Sequence, residues 1–219
     1  LKKLKRLKKI INRIPSWEDQ KSSPPGRACP DQQVGRVGMG NMIKTYKINT
    51  PLGEMVAAAS ADGICLLEFT EERTVASDYE NLASLFNTKV KRGSNSHIRN
   101  LKRQLKEYFK GKRKEFSLPL VIPGTQFQKE AWEELMKIPF GSTSTYHEQA
   151  EAINKPSALR AVGHAIASNR IAIIIPCHRV IGADGTLVGY GGGLNRKKWL
   201  LEHEKKYSGK ATDLDLFSD

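Results

Sequence analysis

The chain has 219 residues, a formal charge of +13 and 39% hydrophobic residues, enough for one large domain or two small ones. No apolar run approaches the length of a membrane span and nothing has the pattern of a secretory leader, so a membrane partner is not expected. Cys29, Cys65 and Cys177 are too few and too scattered for a disulfide framework, which points to a reducing, cytoplasmic setting. His97, His147, His164, His178 and His203 form no metal-spaced cluster with them, so no metal and no cofactor are expected. The charge is uneven. Residues 1–41 carry ten Lys/Arg and three acids, and the remainder is still basic, which suits a polyanionic partner.

Residues 1–14 place Leu1, Leu4, Leu7, Ile10, Ile11 and Ile14 on one helical stripe among basic residues. Residues 15–41 are rich in Pro, Gly and Ser without periodicity, and read as linker. The patterning of a folded unit starts near Met42. Residues 1–41 are therefore expected to be a non-native or disordered leader with no part in the chemistry. From there Ile43–Asn49, Met55–Ser60 and Ile64–Phe69 read as strands, with turns at Pro51-Leu-Gly53 and Asp62-Gly63. Helices are predicted over Tyr79–Phe86 and His97–Lys110, the second with Ile98, Leu101, Leu105 and Tyr108 on one face. Phe116–Leu120 is a further strand candidate. This gives an α+β unit over 42–120.

Val121-Ile-Pro-Gly124 reads as a linker, and the part beyond is mostly helical. Thr125-x-x-Gln128 and Thr145-x-x-Glu148 are capping boxes that open two helices. Asn154-Lys-Pro156 is a turn, and Ser157 can cap a third helix reaching Ala167. Two short helices joined by a tight turn make a helix-turn-helix candidate. The second carries Ala158, Ala161, Gly163, Ala165 and Ala167, with Arg160 near its start. Small side chains allow close approach to a phosphate-lined groove, and equally allow burial against neighbouring helices.

Ile171–Ile175 is an apolar run that leads into Pro176-Cys177-His178-Arg179-Val180. A cysteine flanked by His and Arg between apolar walls suits a reactive thiol, because the thiolate is the nucleophile and a nearby base or cation eases its formation. Ile175-Pro-Cys-His-Arg-Val180 resembles the active-site signature of the O6-alkylguanine-DNA alkyltransferases (methylated-DNA–protein-cysteine methyltransferases). Further matching motifs are Thr125-Gln-Phe-Gln128, Ile138-Pro-Phe-Gly141, Ser144-Thr-Tyr146, Ala158-Leu-Arg-Ala-Val-Gly163, Asn169, Gly189-Tyr-Gly-Gly-Gly193 and Trp199-Leu-Leu-Glu-His-Glu204. Thr50-Pro-Leu-Gly53 and Leu105–Lys112 resemble the family's amino-terminal domain. The resemblance spans about 42–206.

It implies a small ribonuclease H-like sheet and helix domain over 42–120. A mostly helical, winged helix-turn-helix-like domain follows over 121–207, and 208–219 forms a tail. The implied activity is direct reversal of DNA damage. An alkyl group leaves O6-alkylguanine, or O4-alkylthymine, in double-stranded DNA and stays irreversibly on Cys177. The implied partner is alkylated duplex DNA approached from the minor groove with the base flipped, and the protein is expected to be a monomer. His178 stands where the family's histidine acts through a bound water as base, and Glu204 where a carboxylate orients it. Asn169 matches the residue bracing the turn after the recognition helix. Tyr146 matches a phenol that donates a proton to the departing guanine, and Arg160 the side chain that replaces the flipped nucleotide. Ala158, Ala161 and Gly163 fall on the DNA-facing helix, and Val180, Tyr190 and Gly191 on the base pocket. Arg179 is expected to be structural or electrostatic. Arg170 and Gly191 depart from the family's usual Pro and Ala or Ser, which predicts a less rigid turn and a wider pocket wall.

Three other functions fit less well. Relatives that grip lesions without reacting lack the acceptor cysteine, which is present here. A cysteine hydrolase leaves Tyr146 and Arg160 unexplained. A sequence-specific regulator needs base-reading side chains on a second helix that is mostly Ala and Gly.

Overall fold

The computed structural model describes residues 42–70 and 75–209. The leader 1–41 and residues 210–219 of the tail lie outside the described residues. Three strands form in order: β1 (Ile43–Thr50), β2 (Gly53–Ala59) and β3 (Ile64–Phe69). Pro51 and Leu52 make the first hairpin turn, with Thr50 paired to Gly53 across it. The Thr50 hydroxyl donates to the Gly53 carbonyl at 2.7 Å and closes the turn. Helix α1 (Val75–Phe86) follows, then a short strand β4 (Val90–Arg92) and helix α2 (Ser96–Phe109). The sheet order is β3-β2-β1-β4, with β4 parallel to β1 and the other pairs antiparallel.

Both faces of this sheet are covered, so β2 and β3 read as apolar runs rather than alternating ones. Met55, Ala57, Ala59, Ile64 and Leu67 pack on one side with Ile98, Leu101, Leu105 and Tyr108 of α2. Val56, Ala58, Cys65 and Leu66 face the other way, against Leu82 and Phe86 of α1. Cys65 is ordinary core, and burial pushes its thiol up to about 12.

The carboxy-terminal part contains α3 (Gln126–Leu135), β5 (Ser144–Thr145), α4 (Tyr146–Ala152), α5 (Leu159–Ala167), a 3-10 turn (Cys177–Arg179), β6 (Val180–Ile181) and α6 (Leu194–Ser208). Both capping boxes form as expected: Thr125 with Gln128, and Thr145 with Glu148, each satisfy two backbone donors reciprocally. Asn154 takes φ +57 at the end of α4, the left-handed stop that Asn tolerates. Trp132 Nε1 donates to the Ala165 carbonyl at 2.7 Å and ties α3 to α5. The strands β5 and β6 pair in parallel. The architecture is α+β, an amino-terminal sheet unit followed by a helical one.

Four details differ from the sequence reading. Phe116–Leu120 is not a strand. It touches the sheet through one bridge at Ile64, where Ile64 N donates to Pro119 O and Val121 N to Ile64 O, and Pro119 has no N–H with which to extend a ladder. Ser157 does not cap α5, because the helix starts one residue later, with Ala158 at its N-cap and no side-chain bond there. Helix α1 begins at Val75 rather than Tyr79. Strand β4 was not foreseen, since three residues paired to a distant strand carry no local period.

Gly111 ends α2 with φ +69, and a Cβ there would sit 2.2 Å from the Tyr207 ring on α6. Gly111→Ala is expected to cost about 2–4 kcal/mol from left-handed strain and overpacking together. Urea denaturation measures this, and an unchanged midpoint would mean that Tyr207 moves aside freely.

Candidate active site

The path to Cys177 starts at the end of α5. Asn169 follows the helix cap, and its side chain reaches three points of the next segment. Its Oδ1 accepts from Ile171 N at 2.9 Å, and its Nδ2 donates to Ile175 O at 2.9 Å and to Cys177 Sγ at 3.1 Å. The same segment is stitched to the sheet edge: Leu67 N donates to Arg170 O and Ala172 N to Leu67 O, both at 2.8 Å. Ile173 is forced to φ +72, a strained conformation for a β-branched residue that persists where the surroundings over-determine it. The 3-10 turn then presents Cys177, His178 and Arg179 inward, all buried.

His178 Nε2 lies 2.9 Å from Glu204 Oε1 on α6. The other ring nitrogen, Nδ1, is buried without a hydrogen-bond partner among the described residues. Arg179 binds the same carboxylate with two nitrogens: Nε to Oε2 at 2.8 Å and Nη2 to Oε1 at 2.9 Å. Its third nitrogen donates to Ile138 O at 2.7 Å, and its guanidinium lies 5.9 Å from the Phe140 ring centre. Gly141 N donates to Glu204 Oε2 at 3.1 Å. This explains the Ile138-Pro-Phe-Gly141 motif: a carbonyl, a ring and an amide all serve the Arg179–Glu204 pair. Gly141 has φ +72, and a Cβ would meet Ser208 Cβ at 2.4 Å and Glu204 O at 3.0 Å, so glycine is required.

Burial opposes ionisation of Glu204, but His178 and Arg179 outweigh it and hold the carboxyl far below its usual range. Burial lowers His178, and Glu204 only partly restores it, so the imidazole is neutral near pH 7. In that form Nε2–H donates to Glu204 and Nδ1 is left as an acceptor. Burial raises the Cys177 thiol, while the Asn169 amide and the Lys197 charge pull it back. The resting group is a thiol that needs help to ionise.

Tyr146 opens α4 half-buried, and its hydroxyl donates toward Val188 O and Gly189 O at 3.3 and 3.4 Å. Burial and then the neighbouring Cys177 raise its pKa, so the phenol keeps its proton. A Cβ on Gly163 would lie 3.9 Å from the Tyr146 ring, so α5 packs close to this tyrosine. On α5, Arg160 and Ala161 are exposed and Ala158 is half-buried, while Val162, Ala165 and Ile166 face the core. The small residues thus divide between a buried and an open face.

Val180 is buried directly after the 3-10 turn, and the Tyr190 ring stands edge-on to His178 at 6.4 Å. Gly191 is farther out. It lines a cleft of about 520 Å³ with Leu52, Phe69 and Arg196 that does not include Cys177. A Cβ there would meet nothing within 4 Å.

Two family models match this chain. The 6-O-methylguanine DNA methyltransferase ribonuclease-like domain matches residues 43–122, and the DNA binding domain of the same family matches residues 126–206. A methylated-DNA–protein-cysteine methyltransferase of Mycobacterium leprae is 41% identical over 80% of this chain and 99% of its own length. One from Methanosarcina barkeri is 42% identical over 72% of this chain and 94% of its own. The chain belongs to this methyltransferase family. Its fold is similar to crystal structures of the Mycobacterium tuberculosis O6-methylguanine methyltransferase, with TM-score 0.66, 40% identity and coverage of 81% of this chain and 100% of that one. A crystal structure of Mycobacterium tuberculosis OGT in complex with DNA is also similar, with TM-score 0.64, 39% identity and coverage of 76% and 94%.

Sequence reasoning on this methyltransferase missed Lys197. Its ammonium is buried and donates to the carbonyls of Val180 (2.5 Å), Val188 (2.6 Å) and Gly189 (3.3 Å). Burial pulls its pKa down to about 8, and Cys177 opposes the fall. Three acceptors match three N–H groups, so the charged form fits the site. A signal was available: Lys197, Leu200, Leu201 and Glu204 share one face of α6, but a run of Arg196-Lys197-Lys198 reads as solvated surface.

The folded pKa of His178 lies below its unfolded value, so lowering the pH through about 6.5 protonates the unfolded chain first and reduces stability. The depressed Glu204 adds a second loss, beginning below its unfolded value near 4.5. Calorimetry over a pH series should show the first fall diminished in His178→Gln. A wild-type profile that is flat between about pH 7.5 and 5.5 would mean that folded His178 titrates like the unfolded group, and stability rising as the pH falls would mean that the folded imidazole carries a proton.

Proposed function

We propose that this chain repairs DNA by direct damage reversal, moving an alkyl group from O6 of guanine in duplex DNA to Cys177 Sγ, once per molecule. The observation that carries the reading is the buried sulfur held by Asn169 beside His178, with one imidazole nitrogen on Glu204 and the other unpartnered. The names of the relatives and the DNA complex of a similar structure support the same chemistry.

The Cys177 proton passes through a water to His178 Nδ1, and the resulting imidazolium is stabilised by Glu204. The thiolate attacks the alkyl carbon, so the S–C bond forms as the C–O6 bond breaks and its electron pair returns to the guanine. Tyr146 donates a proton to the departing base, and solvent returns to it the proton taken up by His178. The product is a thioether and an intact guanine. A thioether has no ready leaving group, so the protein is consumed. O4-alkylthymine offers the same alkyl carbon and is the expected second substrate.

The reactive oxygen lies inside the base stack, so the base must be flipped at a cost of a few kcal/mol. Arg160, exposed at the start of α5, fills the gap it leaves. Ala158, Ala161 and Gly163 let the helix enter the minor groove, and Val180, Tyr190 and Gly191 border the flipped base. Residues 42–120 act as the scaffold unit and 121–207 as the DNA-facing unit. The chain works as a monomer, since every reacting group comes from one copy, and the free thiols suit a reducing cytoplasm.

A duplex with a labelled methyl group on guanine O6 tests this. Label should reach the protein, saturate near one methyl per molecule and vanish in Cys177→Ser. Turnover beyond one would reject a single-use acceptor, and tight lesion binding without transfer would reject transfer itself. Arg160→Ala should slow reaction with the duplex by about tenfold or more, while leaving reaction with a free O6-alkylguanine base nearly unchanged. Equal losses on the two substrates would remove Arg160 from base flipping.

A further inference from the structure

We propose that Tyr108 of α2 is a positioning residue of the acceptor centre, its hydroxyl donating to the Glu204 oxygen that faces His178. The inference rests on the alkyl-transfer reading and brings the amino-terminal sheet unit into the chemistry.

Tyr108 is fully buried, and its hydroxyl lies 2.8 Å from Glu204 Oε1, 96 residues away in sequence. The ring has little freedom. It is packed by Phe109 (5.4 Å), Phe116 (5.5 Å), Phe140 (6.0 Å) and His203 (5.2 Å) between ring centres. His203 Nε2 also meets the Tyr108 carbonyl at 2.9 Å. Packing alone would be served by phenylalanine, yet the hydroxyl is aimed at the carboxylate.

The two carboxylate oxygens are not equivalent. Arg179 binds both and sets their plane, Gly141 adds to Oε2, and His178 and Tyr108 share Oε1. Tyr108 therefore fixes the position of the oxygen that pairs with His178. Burial and the adjacent carboxylate keep the phenol protonated, so it donates throughout the working range. Without it, Oε1 loses a donor that fixes it against His178, so the carboxylate can turn and the imidazolium formed on proton transfer is less well held. Forming a thiolate nearby becomes harder, and the onset of reactivity moves to higher pH.

The test compares the full chain with Tyr108→Phe, which keeps the ring. Cys177 alkylation by iodoacetamide is followed against pH by intact mass, with Cys177→Ser correcting for Cys29 and Cys65. Methyl transfer from the labelled duplex is measured in parallel. Tyr108→Phe should bind DNA like wild type, transfer about tenfold more slowly and shift the pH onset upward by about half a unit. Phe109→Leu disturbs the same aromatic cluster without touching Glu204, and should lower thermal stability while leaving the onset in place. An unshifted onset in Tyr108→Phe, or an equal shift in Phe109→Leu, overturns the proposal. If wild type transfers no methyl group, the alkyl-transfer reading fails, and the iodoacetamide onset still decides whether Tyr108 tunes Cys177.

Discussion

A charged carboxylate with 1% exposure organises this molecule. Ionised Glu204 has left water, a loss of several kcal/mol that must be offset by donors in good geometry. Those donors come from distant parts of the chain: Tyr108 on α2, Gly141 after α3, and His178 and Arg179 in the 3-10 turn. Each segment can satisfy the carboxylate only in its native place. The group that sets the tautomer of His178 therefore also fixes how α2, α3, the 3-10 turn and α6 meet. Losing one donor leaves charge unpaired in a low dielectric, so chemistry and fold are damaged together.

The same burial shapes the sulfur. A solvent-facing thiolate would react with any electrophile it met, and an acceptor used once would be wasted. Enclosure keeps Cys177 protonated at rest, while Asn169 and Lys197 reduce what ionisation costs. A thiol held this way becomes nucleophilic only when its proton has somewhere to go. Lys197 adds a structural consequence. By donating to Val180 on one side and to Val188 and Gly189 on the other, its ammonium clamps the loop carrying Tyr190 onto the strand that follows Cys177.

What could be read from sequence follows from the range of the interactions involved. The three strands and both capping boxes were legible because hairpin turns and Thr-x-x-Gln or Thr-x-x-Glu pairs are settled within a few residues. Strand β4, the single bridge at Leu120 and the uncapped start of α5 were not, since each depends on a partner elsewhere in the fold. The site divides in the same way. Cys177, His178 and Glu204 were named through family motifs, and the structure brings them into one buried cluster. Tyr108 was legible only as an apolar face residue of a helix, because nothing near it in sequence indicates a carboxylate 96 residues away. Arg179 was expected to be structural or electrostatic, but its partner was not foreseen.

The amino-terminal sheet is more than a platform for the helical part. Beyond Tyr108, its edge residue Leu67 exchanges two backbone hydrogen bonds with the segment leading to Cys177. On the far side of the pocket loop, Arg196 donates to Leu52 O at 2.7 Å and Gly192 O at 2.9 Å, and its guanidinium lies 4.4 Å from the Phe69 ring centre. The amino-terminal unit thus grips the segment leading to Cys177, the Glu204 carboxylate and the loop around Gly192 at separate points. Removing the amino-terminal unit would expose Ile171 and Phe140 to water and free the strained turn at Ile173 to relax. Neither unit can be rearranged alone, because the interactions that hold Cys177 in a reactive geometry are shared between them.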